Sequence, residues 1–279
     1  MGKERIDTLL HKLNICDSRS RAAAYIYEGR VTVNGVKVEK PGEKFDETTA
    51  KIEFKNPEDE YVSRGAYKLL RAFETFKISV KGKTCLDIGA STGGFTHVML
   101  KDGAERVICV DVGTNVLHPK IRTHEKVKWF EQTHILKFSL DMAGEKLVDF
   151  ITCDVSFISV LKFAEKFKEF LRPDGEAVIL IKPQFEAEIN EVKKGGIVLD
   201  REIHRRIIMK FISKFNELGF KYCDIINTPK LKDAKNIEYL IFLKKHDNMT
   251  LECLSEHDQT LFEAVTLKIE KAFLEFNGI

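Results

Sequence analysis

The chain has 279 residues, of which 43% are hydrophobic and 32% charged, and its formal net charge is +2. This composition is typical of a soluble globular protein and excludes a disordered one, and the length allows one large core plus a small domain. No run reaches the roughly 18 apolar residues of a membrane span, so we expect no membrane association. The charged start, residues 1–7, lacks the apolar stretch of a signal peptide.

The cysteines predict a reducing compartment. None of them forms a CxxC pair of the kind that binds a metal, so we expect no metal site. Four fall in predicted strands, where a free cysteine behaves as a small hydrophobic residue. We therefore expect reduced cysteines in a cytoplasmic protein, and nothing in the sequence indicates an obligate protein partner. The cysteines are Cys16, Cys85, Cys109, Cys153, Cys223 and Cys253.

The first 55 residues predict two helices followed by a small sheet. Apolar residues at helical spacing over residues 5–13 predict the first helix, and Asp17-Ser18 can cap the second. In residues 30–38, Asn34-Gly35 separates two β-branched runs, which is the strongest short signal for a β-hairpin. Residues 51–54 return as another strand.

Basic residues are frequent in this part of the chain. Charge alone leaves two interpretations open, a surface that follows RNA phosphates and an ordinary solvated face, because acidic residues are interspersed. Over residues 4–54 the segment resembles the S4 RNA-binding domain, through Ser18–Ala22, Gly29–Gly35 and Lys40-Pro41-Gly42. The resemblance implies binding to structured RNA. The candidate RNA-binding residues are Lys3, Arg5, Arg19, Arg21, Arg30, Lys37, Lys40 and, beyond this segment, Arg64.

Residues 56–62 are predicted to link this domain, residues 1–55, to a larger one, residues 63–279, because Pro57 and neighbouring acids disfavour a packed element. In the larger domain strands and helices alternate, which implies a doubly wound, mostly parallel α/β sheet. The last two strands are close enough in sequence to pair antiparallel at its edge. Strands are predicted at 84–87, 106–110, 127–131, 148–153, 177–181, 222–226 and 239–243, and helices begin near 65, 95, 158 and 201, with an amphipathic helix in 251–279.

A glycine-rich turn follows the first of these strands, in the phrase Asp87–Phe95. Such a turn between a strand and a helix lets a cofactor lie against bare backbone. Its spacing is not GxGxxG and no phosphate-loop lysine follows, so Asp87 suits a cofactor that carries an amine better than one that carries a pyrophosphate. Asp111 ends the next strand, where it can bind ribose hydroxyls or cap a helix.

Charged residues at other strand ends form a second candidate site. Asp154 and Lys182 terminate adjacent central strands, and Lys68 and Glu238 supply a second cation and a second carboxylate. From residue types alone, the set is either an acid–base constellation or ordinary ion pairs.

In chain order, these four residues resemble the Lys-Asp-Lys-Glu tetrad of the FtsJ-type ribose 2′-O-methyltransferases. With the S4-like segment, the whole chain resembles the TlyA (hemolysin A) family of ribosomal RNA methyltransferases. The resemblance implies a Rossmann-like class I methyltransferase sheet of seven strands, a small N-terminal α+β S4 domain, and S-adenosylmethionine as cofactor. It implies 2′-O-methylation of ribosomal RNA in ribosomal subunits, at a cytidine of large-subunit RNA, with small-subunit RNA left open as a second substrate.

The resemblance also implies residue roles. Lys182 accepts the proton of the ribose hydroxyl or stabilises the developing alkoxide, Lys68 supports it, and Asp154 and Glu238 hold the two lysines. The implied cofactor residues are Asp87, Gly89, Ala90, Ser91, Thr92, Gly93, Gly94, Phe95, Asp111, Val112, Thr133 and Asp154.

Three other functions compete with this interpretation: a cytolysin, a non-catalytic RNA-binding ribosome assembly factor and a small-molecule methyltransferase. We find neither the amphipathic β segments nor the secretion signal of a pore-forming protein. Two local features stay open. Phe157 and Phe185 either stack on a base or belong to the core, and the loop with Lys193-Lys194-Gly195-Gly196 either closes over RNA or cofactor or is a plain connection.

Overall fold

The computed structural model describes residues 3–55, 61–231, 234–246 and 259–278. The chain folds as two compact units, residues 1–60 and 61–279. Most of the predicted linker, residues 56–60, and the start of the predicted tail helix, residues 251–258, lie outside the described residues.

The first unit contains the two predicted helices and the predicted hairpin. Ser18 caps the second helix, since its hydroxyl accepts a hydrogen bond from the Arg21 amide at 3.2 Å. Asn34 and Gly35 both have positive φ, 55° and 79°, as a two-residue type I′ turn requires. The elements are β1 (Lys3–Arg5), α1 (Ile6–Lys12), α2 (Arg19–Tyr27), β2 (Val31–Val33), β3 (Val36–Lys37), β4 (Lys44–Asp46) and β5 (Ile52–Phe54).

Strands β1 and β4 form a two-stranded antiparallel ribbon that the sequence did not predict, because three exposed residues carry no hydrophobic alternation. Strands β3, β2 and β5 form a separate three-stranded sheet. A small core lies between this sheet and the helices, and it includes Ile6, Leu10, Ala22, Ile26, Val31 and Val33.

The second unit is built on a seven-stranded sheet in the order β11-β12-β10-β9-β6-β7-β8. The predicted fold class is confirmed. Strands β6 to β10 are parallel, as βαβ crossovers require, and β12 runs antiparallel to both of its neighbours. The strands are β6 (Thr84–Ile88), β7 (Arg106–Val110), β8 (Val127–Phe130), β9 (Val148–Cys153), β10 (Leu171–Ile181), β11 (Phe220–Asn227) and β12 (Tyr239–Lys245).

Helices cover both faces of this sheet, and two hydrophobic clusters fill the space between the layers. The α-helices are α3 (Ala66–Phe76), α4 (Gly94–Lys101), α5 (Pro119–Arg122), α6 (Glu165–Phe170), α7 (Pro183–Glu186), α8 (Arg201–Glu217) and α9 (Gln259–Asn277). Short 3₁₀ turns occur at Ile135–Lys137, Leu140–Ala143, Val160–Phe163 and Ile189–Glu191.

The predicted antiparallel pair lies at the sheet edge, but β11 is the edge strand and β12 is an interior one. The last two strands do pair antiparallel, but β12 inserts between β10 and β11, with Tyr239 opposite Ile181. Its interior position fits its composition, because Leu240 and Ile241 are fully buried. The consequence is functional: an antiparallel strand begins where its parallel neighbour ends, so the residue before β12 meets the residue after β10.

Candidate functional site

The four tetrad residues meet at the carboxyl edge of the sheet. Lys182 follows β10, Asp154 follows β9, Glu238 precedes the antiparallel β12, and Lys68 lies in the first turn of α3. Lys182 Nζ lies 2.6 Å from Asp154 Oδ1, and Lys68 Nζ lies 2.7 Å from Glu238 Oε2. Lys68 Nζ is also 4.0 Å from Asp154 Oδ2, so the charges alternate along one connected chain.

The tetrad is shielded from solvent but reachable. The exposed fraction of the side chain is 10% for Lys182 and 14% for Lys68, against 22% for Asp154. Burial lowers the pKa of Lys68, but Asp154 and Glu238 outweigh that effect and raise it above its usual value. Lys68 is therefore a fixed cation at neutral pH.

Two supporting side chains were not predicted from the sequence. The hydroxyl of Ser156 accepts a hydrogen bond from Lys182 Nζ at 2.9 Å, and Gln184 Nε2 donates to Glu238 Oε1 at 3.4 Å. Each lies two residues after a tetrad member, on the turn that leaves the strand. A serine or a glutamine at such a position is not distinctive as a residue type. Only its closeness in sequence to a predicted site residue could have suggested its supporting role.

The glycine-rich turn passes directly under the tetrad. Gly89 has φ +78°, and a Cβ there would collide with the carbonyl oxygen of Asp154. Gly93 has φ +88° and lies against Ile121. Glycine is required at both positions because a side chain would meet strain and a clash together. The bare backbone allows a ligand to approach closely, although the amides of Gly89 and Ala90 already donate to the carbonyl of Val110 and that of Gly93 to the carbonyl of Ala90.

Asp87 lies beneath the glycine-rich turn. It is fully buried, and its carboxylate accepts hydrogen bonds from Thr96 Oγ1 at 2.6 Å and Thr152 Oγ1 at 2.9 Å. Burial raises its pKa to about 6, although the two hydroxyls oppose the shift. Asp87 thus joins β6, β9 and α4 under the turn and lines neither cavity described below.

Asp111 also holds the glycine-rich turn. Its carboxylate accepts a hydrogen bond from the Ser91 amide at 2.8 Å and from the Gly113 amide at 2.7 Å. Ser91 has positive φ, 49°, and this contact fixes that conformation. Asp111 remains partly exposed and lines a cavity.

Two neighbouring cavities follow the predicted cofactor residues. One, of about 260 Å³, is lined by the ends of β6 to β9 and includes Asp111, Val112 and Thr133. The other, of about 270 Å³, is lined by the glycine-rich turn and Lys182. The cavities share Gly89, Ser91, Asp154 and Ser156. An elongated ligand can span both and end at Lys182. The second cavity includes Ala90, Thr92, Gly94 and Phe95.

Phe157 is not a core residue. Its side chain is 90% exposed, its φ is +67°, and its ring centroid lies 5.1 Å from that of Phe185. The Phe185 ring in turn lies 5.9 Å from Lys182 Nζ. A large apolar ring exposed on a left-handed backbone is costly in an isolated protein, and such outliers cluster at functional sites. Here the Phe157 ring borders the cavity at the ends of β6 to β9.

In the first unit, a buried carboxylate gathers two of the predicted RNA-binding residues. Asp7, 6% exposed, accepts from Arg5 Nη2 at 2.8 Å and from Arg19 Nη2 at 3.3 Å. The hydrogen bond from Arg5 is the main reason that the pKa of Asp7 falls to about 2. The side chains of Arg5 and Arg19 stay 44% and 54% exposed, so both cations face solvent.

The other predicted RNA-binding residues are placed in several surroundings. Arg30 donates to Glu28 at 2.6 Å, and Arg21 donates to the Tyr25 hydroxyl at 2.8 Å. Arg64 belongs to the second unit, where it lines a third cavity with Lys68 and Glu238. The remaining three are exposed: Lys3, Lys37 and Lys40.

Comparison with known proteins agrees with this geometry. The profile of the FtsJ-like methyltransferase family matches residues 61–245, and that of the S4 domain matches residues 4–49. The chain is 43% identical to hemolysin A of Brachyspira hyodysenteriae over 85% of this chain and 98% of that one. It is 34% identical to the 16S/23S rRNA (cytidine-2′-O)-methyltransferase TlyA of Mycobacterium tuberculosis, over 92% and 95%.

A solved structure extends the likeness to the whole chain. A protein described as a hemolysin from Streptococcus thermophilus has a TM-score of 0.70 and 34% identity, with all of both chains covered. The match to the FtsJ-like methyltransferase family and the rRNA methyltransferase relative confirm the methyltransferase activity and the S-adenosylmethionine cofactor implied by the sequence. The chain belongs to the FtsJ-like methyltransferases and, among them, to the TlyA (hemolysin A) family that carries an N-terminal S4 domain.

Proposed function

We propose that this protein transfers a methyl group from S-adenosylmethionine to a ribose 2′-hydroxyl of ribosomal RNA. The observation that carries the proposal is the position of Lys182, whose Nζ lies 2.6 Å from Asp154 and which lines the cavity formed by the glycine-rich turn. A hydroxyl that enters there meets a lysine held in place by a carboxylate, at the end of the space that suits the cofactor.

The residues around Lys182 have different roles in the proposed reaction. Asp154 Oδ1 and Ser156 Oγ fix the position of its ammonium group, and Lys68 adds a second fixed cation nearby. We propose one of two roles for Lys182: as the uncharged amine it accepts the hydroxyl proton and becomes an ammonium, or as an ammonium it stabilises the oxygen while that oxygen becomes negative. In both cases Glu238 holds Lys68. Holding the hydroxyl in line with the methyl group replaces a bimolecular encounter by an intramolecular one, which is a large part of catalysis.

The cofactor residues present fit S-adenosylmethionine. When bound, it supplies an electrophilic methyl group. Gly89 leaves room that a Cβ would fill, the partly exposed Asp111 suits ribose hydroxyls, and Val112 and Thr133 border the space for the base. Asp87 contributes from below, since it is buried and fixes the strand and helix that carry the turn.

We propose that residues 1–55 form the RNA-binding domain, residues 63–279 the catalytic domain, and residues 56–62 their connection. Arg5 and Arg19 form the centre of the RNA surface, because their charges exceed that of Asp7 and both are exposed. Contacts to phosphate and RNA shape position the substrate, and the exposed Phe157 ring offers a stacking surface for a base beside Lys182.

The proposed substrate is a cytidine of large-subunit RNA within the ribosomal subunit, with small-subunit RNA as a second target. The relative from Mycobacterium tuberculosis carries both RNAs in its name. We propose a cytoplasmic site of action, where ribosomal subunits are found.

Mapping of 2′-O-methyl groups tests this proposal. Purified large and small subunits, free of the modification, are incubated with the protein and labelled S-adenosylmethionine, and the modified nucleotide is located by sequencing. We expect one 2′-O-methylcytidine in the large subunit, and none with Lys182→Ala, which keeps the RNA-binding residues. Methylation of a base, or of no RNA, contradicts the proposal.

The hemolysin name of two relatives motivates a second measurement. No helix within the described residues is long and apolar enough to cross a membrane. We expect the protein to release no dye from phospholipid vesicles at nanomolar concentration. Leakage together with failure to methylate RNA would favour the cytolysin.

A further inference from the structure

The basic loop after β10 is a closed hairpin. The Lys193 amide donates to the carbonyl of Ile197 at 2.8 Å, and the Gly196 amide donates back to the carbonyl of Lys193 at 3.0 Å. Gly195 and Gly196 have φ of +90° and +75°, which allow the reversal. Lys193 and Lys194 are exposed. We name residues 193–197 the basic hairpin.

The side chain of Asn236 ties the basic hairpin to the active-site segment. Asn236 Nδ2 donates to the carbonyl of Gly196 at 2.7 Å, and Asn236 Oδ1 accepts from the amide of Val198 at 2.9 Å. Asn236 lies two residues before Glu238 in sequence. One side-chain amide therefore holds Gly196 of the hairpin and the adjoining Val198 to the segment that carries the tetrad carboxylate.

A second attachment joins Val198, the residue directly after the hairpin, to the core. Val198 is 2% exposed, and its carbonyl oxygen lies 3.1 Å from Nε2 of the fully buried His204. His204 Nδ1 lies 2.8 Å from the hydroxyl of Tyr239, the first residue of β12. Because both attachments lead to β12 or the residues before it, the hairpin is fixed to the segment that contains Glu238.

The surface next to the hairpin is a third cavity with basic residues. It has a volume of about 340 Å³ and is lined by Arg64, Lys68, Lys235, Asn236 and Glu238, among others, and shares no lining residue with the two cofactor cavities. Glu238, the one acid that lines it within the described part of the chain, is already paired with Lys68. This surface suits an anion.

The acid nearest the hairpin in sequence is also neutralised, since Glu191 pairs with Arg206 at 2.5 Å. Lys193 and Lys194 therefore add positive charge next to that of the cavity. A chain that presents a ribose to Lys182 also carries phosphates on either side of that ribose. RNA supplies this pattern of charge, whereas a protein partner would need acids at matching positions.

We propose that the basic hairpin and this third cavity form a phosphate-binding subsite for the RNA backbone beside the target ribose, with Asn236 as its positioning residue. The inference rests on the proposed function and names a part of the substrate site. Asn236 carries no charge and touches no phosphate, and it acts by holding Lys193 and Lys194 where the backbone passes.

Salt dependence distinguishes positioning from simple structural support. The logarithm of RNA affinity falls with the logarithm of salt concentration in proportion to the phosphates neutralised. Lys193→Ala/Lys194→Ala should lower that slope by about 1 to 2. Asn236→Ala should lower it by a similar amount although it removes no charge. Asn236→Asp, which keeps the acceptor but loses the donor and adds a negative charge to the cavity, should lower RNA affinity further than Asn236→Ala.

The combined variant completes the test, with binding and methylation of the large-subunit RNA measured on the full chain. We expect Lys193→Ala/Lys194→Ala and Asn236→Ala each to raise KM for RNA about 5- to 10-fold, which is more than they lower kcat. The variant that combines all three substitutions should have the same KM as either of these two, because lysines that Asn236 no longer positions contribute nothing to binding. The control, Lys81→Ala/Lys221→Ala, removes two exposed lysines near the first residues of β6 and β11, at the opposite ends of these strands from the tetrad, and should leave KM within about twofold.

Two results would overturn the positioning role while the wild-type chain still methylates RNA. One is an unchanged salt slope in Asn236→Ala, and the other is an increase in KM in the triple variant that equals the two separate increases combined. Absence of methylation by the wild-type chain would instead contradict the proposed function itself. Affinity for S-adenosylmethionine, measured by calorimetry, should be the same in all variants, and a parallel loss there would show that Asn236 supports the fold generally.

Discussion

Carboxylates that are largely shielded from solvent hold cations at two places in this chain, with a different charge balance at each. In the tetrad, Asp154 and Glu238 meet Lys68 and Lys182, so two negative charges offset two positive ones. In the first unit the single carboxylate of Asp7 holds two guanidinium groups. The tetrad therefore has no net charge, and the Asp7 cluster has a surplus of one positive charge.

The difference in charge balance corresponds to a difference in task. A neutral site whose groups are 10–22% exposed can orient a hydroxyl and stabilise charge that appears only during reaction. A cluster with a charge surplus and half-exposed cations attracts phosphate before any reaction begins. Changes in the tetrad should therefore affect rate, and changes in the Asp7 cluster should affect RNA affinity.

The largest expected effect is that of Lys182→Ala. Loss of a general base or of a fixed cation at the reacting oxygen should lower kcat about 100- to 10,000-fold. Dissociation constants for RNA and S-adenosylmethionine should stay within about threefold, since binding rests on other groups. Single-turnover methylation and equilibrium binding measure the two quantities separately. Lys162→Ala, an exposed lysine of the same unit, serves as control. Retained turnover in Lys182→Ala would mean that the base is another residue.

The next effect is that of Gly89→Ala on the cofactor site. The added Cβ collides with the carbonyl of Asp154, so the turn and the tetrad are displaced together. We expect affinity for S-adenosylmethionine to fall about 10-fold or more, measured by calorimetry. Gly82→Ala is a matched control, because Gly82 has a similar φ, +71°, but nothing within 4 Å of the added carbon. Equal losses in both variants would mean that backbone strain, and not the clash, determines affinity.

The comparison also shows what sequence can and cannot predict. All seven strands of the large sheet were predicted within a few residues at most ends, because the buried central strands are nearly continuous apolar runs, whether parallel or, like β12, antiparallel. β10 was the exception: it begins at Leu171, before Pro173 and Gly175, and its pairing register shifts there. Those residues indicate a turn by type, and only the neighbouring strand reveals that the pairing extends past them.

The tetrad residues were identified by a resemblance, and the reason that they meet was not visible in the sequence. Glu238 precedes a strand that looked like an edge, and its contact with Lys68 depends on β12 lying antiparallel beside β10. Supporting groups such as Ser156 and Asn236 were missed for the same reason, since each acts through a contact between segments distant in sequence. Asp87 was predicted as a cofactor residue because the sequence shows its position before the glycine-rich turn. The sequence does not show that its carboxylate points toward Thr96.

The smallest effect on methylation, and the sharpest test of the comparison, is that of Asp7→Asn, which acts on stability and RNA binding. Because its folded-state pKa, about 2, lies below its ordinary value of 3.8, the Asp7 carboxylate stabilises the fold above about pH 4, and this contribution is lost as pH falls toward 2. Nearly two pKa units correspond to about 2 kcal/mol at neutral pH. Hydrogen exchange of amides in α1 and α2 of the full chain should show protection lowered by about that amount at pH 7, and a smaller difference from wild type at pH 3. The control, Glu39→Gln, changes an exposed acid of the same unit and should alter neither the protection nor its pH dependence.

RNA affinity tests whether Asp7 organises the two arginines. If Asp7 orients Arg5 and Arg19, Asp7→Asn weakens RNA binding although it raises the net positive charge. Tighter RNA binding by Asp7→Asn would mean that the arginines act as free charges and that Asp7 has no organising role.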